Sequence, residues 1–170
     1  MSINNKISEE LFNSVFGDPW HGPSVFKILE DVNEDLAFNR KLNSAHNIAE
    51  LTLHLWAWAE EVLNRLKGNP PAEPLAGDWP DPQVYCADGW NAAKNKFFDS
   101  SKRLVEEIKN FPEEKFSEIV GGARNAPLGT GITFEAMLHG IAQHNAYHAG
   151  QISLLKKYFT DKQIFPDLKM

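Results

Sequence analysis

Two histidines stand one helical turn apart near the end of the chain. His144 and His148 are separated by four positions in a stretch whose apolar residues recur at α-helical spacing. At about 100° per residue, both imidazoles project from one side of the helix, about 40° apart. Neutral imidazole is the commonest protein ligand for zinc, nickel or iron, and two rings one turn apart can hold one ion without bending the backbone. The pair therefore predicts part of a metal site.

A third imidazole lies in another helical pattern. His54 interrupts the amphipathic run at residues 47–66, where that run should face a core. If three imidazoles were buried without an ion, each unpaired ring nitrogen would cost roughly 1–3 kcal/mol, whereas one divalent cation satisfies three of them at once. We therefore predict that His54, His144 and His148 bind one divalent metal ion.

The other three histidines are weaker candidates. His139 lies about 140° around the helix from His144, so the two cannot share a site on an unbroken helix. His46 stands at or before the start of its helix, where capping and surface roles are common. His21 follows a tryptophan at a junction between a loop and a helix.

Three residues near the predicted ligands allow more than one interpretation. Glu50 and Glu61 share a stripe with His54, so either could orient an imidazole, bind the ion or accept a proton during catalysis. The alternative for each is a solvated carboxylate paired with a lysine. Gly140 lies on the face of His144, and a glycine inside a helix costs roughly 1 kcal/mol relative to alanine. It can provide room beside His144 or allow close helix packing.

Three protein donors leave at least one coordination position open, as in catalytic metal sites. The ion could lower the pKa of bound water toward about 7 for hydrolysis, or bind a low-molecular-weight thiol as thiolate. Asn145 follows His144 where a zincin has glutamate, so the metalloprotease pattern is absent. These residues leave two kinds of function open. One is a metal-dependent enzyme, either a hydrolase or a thiol transferase. The other is a non-catalytic metal-stabilised bundle that binds a small ligand or a partner protein.

Four helical patterns, separated by segments rich in proline and glycine, must position these residues. They cover residues 8–32 with an irregular break, 47–66, 83–110 and 133–159. Ser44 or Asn47 can cap the second pattern, and Thr133 can cap the fourth. No alternating strand pattern competes with this assignment. The sequence predicts one all-α domain over residues 1–170, an antiparallel four-helix bundle with the metal held between facing helices.

Composition limits the partners. The chain of 170 residues carries 17 basic and 23 acidic residues, a net charge of −6, and no basic run, which argues against nucleic-acid binding. No stretch approaches the roughly 18 apolar residues of a membrane span, and the polar N-terminus lacks the apolar segment of a signal peptide. The single cysteine, Cys86, excludes an internal disulfide. These features favour a cytoplasmic protein, and the open coordination position of the predicted metal site favours a small-molecule substrate.

Several segments together resemble one known family. They are Leu53-His54-Leu55 followed by Trp58, residues 144–152 and residues 20–24. With the run at residues 45–51 and a loop tryptophan before the third helix, they resemble the DinB and YfiT-like metalloprotein superfamily over nearly the whole chain. DinB here means the damage-inducible bundle protein and not the DNA polymerase.

The resemblance implies an up-down-down-up four-helix bundle, usually a homodimer, that holds one divalent ion through three histidines. By motif position these are His54, His144 and His148. The ion is expected to be nickel or zinc, with iron or manganese as alternatives. Characterised relatives include thiol-dependent S-transferases and a thiol-dependent maleylpyruvate isomerase, while others are assigned as hydrolases only by likeness. The resemblance therefore implies a metal-dependent hydrolase or thiol transferase without choosing between them.

Overall fold

The computed structural model describes residues 2–41 and 46–160. This part of the chain is built from helices, with two isolated β-bridges and no named strand. The helices are α1 (Ile3–Val15), α2 (Val25–Leu29), α3 (Glu34–Ala37), α4 (Ile48–Leu66), α5 (Ala87–Asn110), and α6 (Phe134–Thr160). A short 3-10 turn, Glu113–Ser117, follows α5. The predicted all-α fold is confirmed.

Local capping explains where the site-bearing helices begin and end. The Asn47 side chain accepts a hydrogen bond from the Glu50 backbone N–H, and the Glu50 carboxylate accepts one from the Asn47 backbone N–H, which together form a capping box. Ser44, the other predicted cap, lies outside the described residues. Helix α4 stops before Gly68, whose φ of 87° favours glycine. The Thr133 hydroxyl accepts a hydrogen bond from the Ala136 N–H at the start of α6, as predicted.

Helix α5 begins later than its pattern indicated. The pattern starts near Gln83, but the Cys86 backbone is extended and the helix starts at Ala87. The preceding chain folds back over the first turn at Gly89, where a Cβ would lie 2.0 Å from the Val84 carbonyl oxygen. Glycine permits this close approach, which is a local contact between the start of the helix and the residues just before it.

Four long helices form the bundle. Helices α1 and α4 each pack against both α5 and α6, so α1 and α4 occupy opposite corners. Their inward faces form a continuous apolar core, with Leu11, Leu55, Leu104 and Ile152 among its fully buried members. The short helices cover the bundle, α2 against α1 and α6, and α3 against α4 and α5.

Contacts between the helices define their directions. The Asn4 side chain at the start of α1 donates to the Ile108 carbonyl at the end of α5, so these helices are antiparallel. Two contacts in the same sequence order show that α1 and α6 are parallel: Glu10 with His139, and Ser14 with Asn145. Two in reversed order show that α4 and α6 are antiparallel: His54 with His144, and Arg65 with Met137. The order is therefore up-down-down-up.

This topology makes α4 and α5 parallel and determines the path of their connection. The chain leaves α4 at one end of the bundle and must return to the other end before α5 can start. Helix α4 is about 28 Å long at 1.5 Å per residue, so the proline-rich connection at residues 67–86 runs back along the bundle. On the way it brings Asp78 and Trp79 beside His54. No helix in the described ranges has the length and apolar character to cross a bilayer.

Candidate metal centre

The three predicted ligand histidines meet between α4 and α6. His54 Nε2 lies 3.0 Å from His144 Nε2, and His148 Nε2 lies 2.9 Å from the same atom. One ligand atom from each residue lies within 4.8 Å of the others. His54 and His148 are buried, and His144 is half-buried. The antiparallel packing of the two helices thus brings the three rings to one point.

Hydrogen bonds to the outer ring nitrogens define two of the tautomers. His54 Nδ1 lies 2.6 Å from the Asp78 carbonyl oxygen, and His148 Nδ1 lies 2.6 Å from Gln151 Oε1. Both oxygens can only accept a hydrogen bond, so each Nδ1 carries the proton. In the neutral rings, Nε2 of His54 and of His148 therefore carries a lone pair directed inward.

These two lone pairs both face His144 Nε2, which can offer at most one hydrogen when neutral. At least one of the two short contacts between Nε2 atoms therefore has no hydrogen between the nitrogens. Burial is the largest cause that lowers the pKa of all three imidazoles, and with the neighbouring His148 and His54 it lowers that of His144 to about 3. An extra proton at neutral pH is therefore disfavoured, and the arrangement fits a metal cation.

The spacing of the donors also fits such an ion. Two nitrogens bound to tetrahedral zinc, each about 2.1 Å from it, lie about 3.4 Å apart. The observed contacts of 2.9 and 3.0 Å need to open by only a few tenths of an ångström. His54, His144 and His148 could therefore hold one divalent ion together.

The returning connection fixes the orientation of His54. The Trp79 indole stacks on its ring with centroids 3.9 Å apart, and it also stacks on His46 at 3.6 Å. The Trp58 indole N–H donates to Asp78 Oδ1 at 2.7 Å, and that oxygen is 3.3 Å from His54 Nδ1. Both backbone and side chain of Asp78 thus hold His54 in place, as outer partners of metal ligands do.

The remaining histidines lie elsewhere. The His46 ring stacks on the Trp79 indole, and its Nδ1 is 3.5 Å from the Glu50 carboxylate. His139 forms a partly exposed pair with Glu10 of α1. His21 lines a separate cavity between α1 and α6.

Glu50 and Glu61 contact other partners. Glu50 completes the α4 capping box and pairs with Arg40. Glu61 is buried and accepts hydrogen bonds from Arg65 Nε at 3.0 Å and from the Ala72 N–H at 2.9 Å. Both pair with arginine rather than lysine. Within the described residues, no hydrogen bond or ion pair joins either glutamate to the three ligand histidines, and their predicted role as proton acceptors stays a prediction.

A cavity of about 540 Å³ opens beside His54 and His144. Helix α4, helix α6 and two loops form its walls, which include Trp58, Asp78, Leu128, Met137, Ile141 and Arg65. Gly140 also lines it, and a Cβ there would meet nothing within 4 Å. Of the two interpretations of Gly140, room beside His144 fits this position, because close helix packing would place atoms against that Cβ.

Two residues of this site were not predicted from the sequence. Arg65 continues the stripe of His54, Trp58 and Glu61 by one more turn of α4, a signal that helical periodicity could have revealed. Asp78 lies in the proline-rich connection, where no periodicity applies. Only the path of the chain brings it to His54.

Removal of the Gln151 side chain should weaken metal binding. Gln151→Ala deletes the acceptor for His148 Nδ1, and loss of such an outer partner costs about 10–100-fold in metal affinity. Competition with a chromophoric chelator measures this change. Gln143→Ala, at an exposed glutamine of the same helix, is the matched control and should bind metal as the wild type does. Equal affinities of the two variants would contradict the assigned role of Gln151.

Three histidines that converge between antiparallel helices, beside a cavity, define a metal-binding helical-bundle protein. A profile of the DinB superfamily matches residues 23–152, well over half of the chain. The chain therefore belongs to the DinB superfamily. Neither the curated proteins nor the solved structures contain a match to it.

Proposed function

We propose that this protein is a metal-dependent enzyme that activates water or a low-molecular-weight thiol. The ion would be held by His54, His144 and His148. The observation that carries the proposal is the convergence of inward-facing Nε2 atoms at the wall of a 540 Å³ cavity. A structural metal site is closed by protein donors, whereas three donors beside a cavity leave a position for a small molecule.

The donor set favours a borderline transition metal. Neutral imidazoles suit zinc and nickel, the expected ions, and also iron, while manganese prefers oxygen donors. When bound, such an ion lowers the pKa of water toward about 7 or stabilises a thiolate. Hydrolase and thiol-transferase chemistry both start from this activated nucleophile.

Of the two carboxylate residues that line the cavity, Asp78 is the one that contacts a ligand histidine, and it is the proposed proton acceptor. The residue lines the cavity, and its Oδ1 accepts a hydrogen bond from the Trp58 indole N–H. Oδ2 has no partner among the described residues, so it can take a proton from the nucleophile. General-base catalysis of this kind contributes about 10²–10⁴-fold to a rate.

Asp78→Asn should preserve the Trp58 hydrogen bond and remove the proton acceptor. Activity should fall by about 10²–10⁴-fold at unchanged metal content. Metal-loaded protein would be assayed for hydrolysis of activated esters and for thiol addition to an electrophile, with Asp81→Asn in the same connection as the matched control. Equal loss in both variants would contradict the role of Asp78.

A non-catalytic metal-stabilised bundle is the competing proposal. It requires that binding of a small ligand or partner protein survives replacement of the native metal by an inert ion. If both reactions proceed equally in metal-free protein, the proposed metal-dependent function is overturned. Homodimer formation and a cytoplasmic location stay predictions, and size-exclusion chromatography with light scattering would test the first.

A further inference from the structure

A buried guanidinium lines the cavity away from the histidines. Arg65 is only 3% exposed and lies on the same stripe of α4 as His54. The two positions are about 16 Å apart along the helix axis. The cavity therefore has a cation at one end and a candidate metal centre at the other.

Arg65 keeps hydrogen-bonding capacity that the protein does not use. A guanidinium has five N–H groups. Nε donates to Glu61, Nη2 donates to the Ala72 carbonyl, and Nη1 has only the weak acceptor Met137 Sδ at 3.9 Å. Among the described residues, one N–H on each Nη atom therefore has no partner. Buried donors of this kind are normally satisfied, so a cavity occupant is expected to accept from them.

The unused N–H groups of Arg65 favour an anionic acceptor, because charge-assisted hydrogen bonds are stronger than neutral ones. Glu61 balances Arg65, and Glu73, which also lines the cavity, is exposed to solvent and screened. The Asp78 carboxylate is held at the metal end by Trp58.

The wall between the two ends is largely apolar. Its apolar side chains include Trp58, Leu128, Ile132, Met137 and Ile141. An occupant that reaches from the histidines to Arg65 must therefore be elongated and must have an apolar middle.

We infer that the cavity takes an elongated small molecule with an apolar body and a terminal carboxylate, which Arg65 binds while the reactive group faces the histidines. Arg65 is thereby a specificity-determining residue. The inference rests on the proposed function for the reactive end, whereas the carboxylate end depends only on Arg65 and the cavity.

Two matched pairs of probes test the ends separately. Calorimetry with zinc-loaded protein compares hexanoate with hexanol, and the visible spectrum of cobalt-substituted protein compares ω-mercaptohexanoate with ω-mercaptohexanol. Each acid should bind roughly 10–100-fold more tightly than its alcohol, as expected for charge-assisted hydrogen bonds. In Glu61→Gln/Arg65→Gln, which replaces the buried pair by neutral groups, the difference should disappear.

Leu128→Glu provides a second variant that leaves the Arg65–Glu61 pair intact. A carboxylate at this wall should weaken binding of the acids more than binding of the alcohols, because the alcohols lose only the apolar contact with Leu128. The inference would be overturned if hexanoate and hexanol bound equally to the wild type. It would also be overturned if the preference for the acid persisted in the double variant, because the preference would then come from the metal. If neither thiol alters the cobalt spectrum, the metal has no open coordination position and the proposed function is wrong. The comparison of hexanoate with hexanol still decides the role of Arg65 in that case.

Discussion

His144→Ala is expected to lower metal affinity by more than about 100-fold, because even the loss of an outer partner of a ligand costs about 10–100-fold. His144 Nε2 is the atom that both other histidines face, at 3.0 and 2.9 Å, so its removal opens the centre of the cluster. Elemental analysis of protein purified without a histidine tag should find about one metal per wild-type chain and almost none in the variant.

His139→Ala is the matched control for this experiment. His139 lies on the same helix as His144, but its ring pairs with Glu10 at the surface of the bundle. Its metal content should equal that of the wild type. Metal content that is unchanged in His144→Ala, or lost equally in both variants, would reject the ligand assignment.

Metal binding should also raise the melting temperature of the protein. At a free metal concentration 100 times the dissociation constant, the ion stabilises the fold by about 2.7 kcal/mol. For a chain of this size, that corresponds to a rise of roughly 5–10 °C in Tm. The His144→Ala variant should not show this rise, so a melting curve with and without metal checks the same assignment independently.

Glu61→Ala is expected to destabilise the protein by roughly 3–5 kcal/mol, because it leaves the Arg65 guanidinium buried without its counter-charge. The two side chains are each 3% exposed, and the Ala72 N–H loses its acceptor in the same substitution. Unfolding in urea measures the free energy directly. Metal content at low temperature should not change, since Glu61 has no contact with the ligand histidines in the described part of the chain.

Glu60→Ala tests whether this effect depends on burial. Glu60 is the neighbouring residue and also pairs with an arginine, Arg103, but both side chains are partly exposed. Pairs of this kind contribute about 0–1 kcal/mol.

If Glu61→Ala keeps wild-type stability but abolishes activity, Glu61 is the proton acceptor that its position on the stripe of His54 predicted. Its role as the stabilising partner of Arg65 would then be wrong.

Local features of the sequence predicted the long helices and the candidate ligand set. The four-residue spacing of His144 and His148 places both rings on one side of any α-helix, whatever surrounds it. The cap at Asn47 and the glycine at position 68 act on neighbouring backbone groups, so the limits of α4 could be predicted. The family resemblance added the bundle topology, which the contacts between the helices bear out.

Tertiary structure alone decided which residues from other segments of the chain surround the histidines. Asp78 and Trp79 reach His54 because parallel α4 and α5 force the connection back along the bundle, a consequence of topology that no local pattern encodes. The same packing buried the Glu61–Arg65 pair, which the four-residue spacing on α4 had already placed together, and left Gly140 facing a cavity. Helical periodicity fixes the side of a helix on which a residue lies, but what that side meets depends on contacts between segments far apart in the chain.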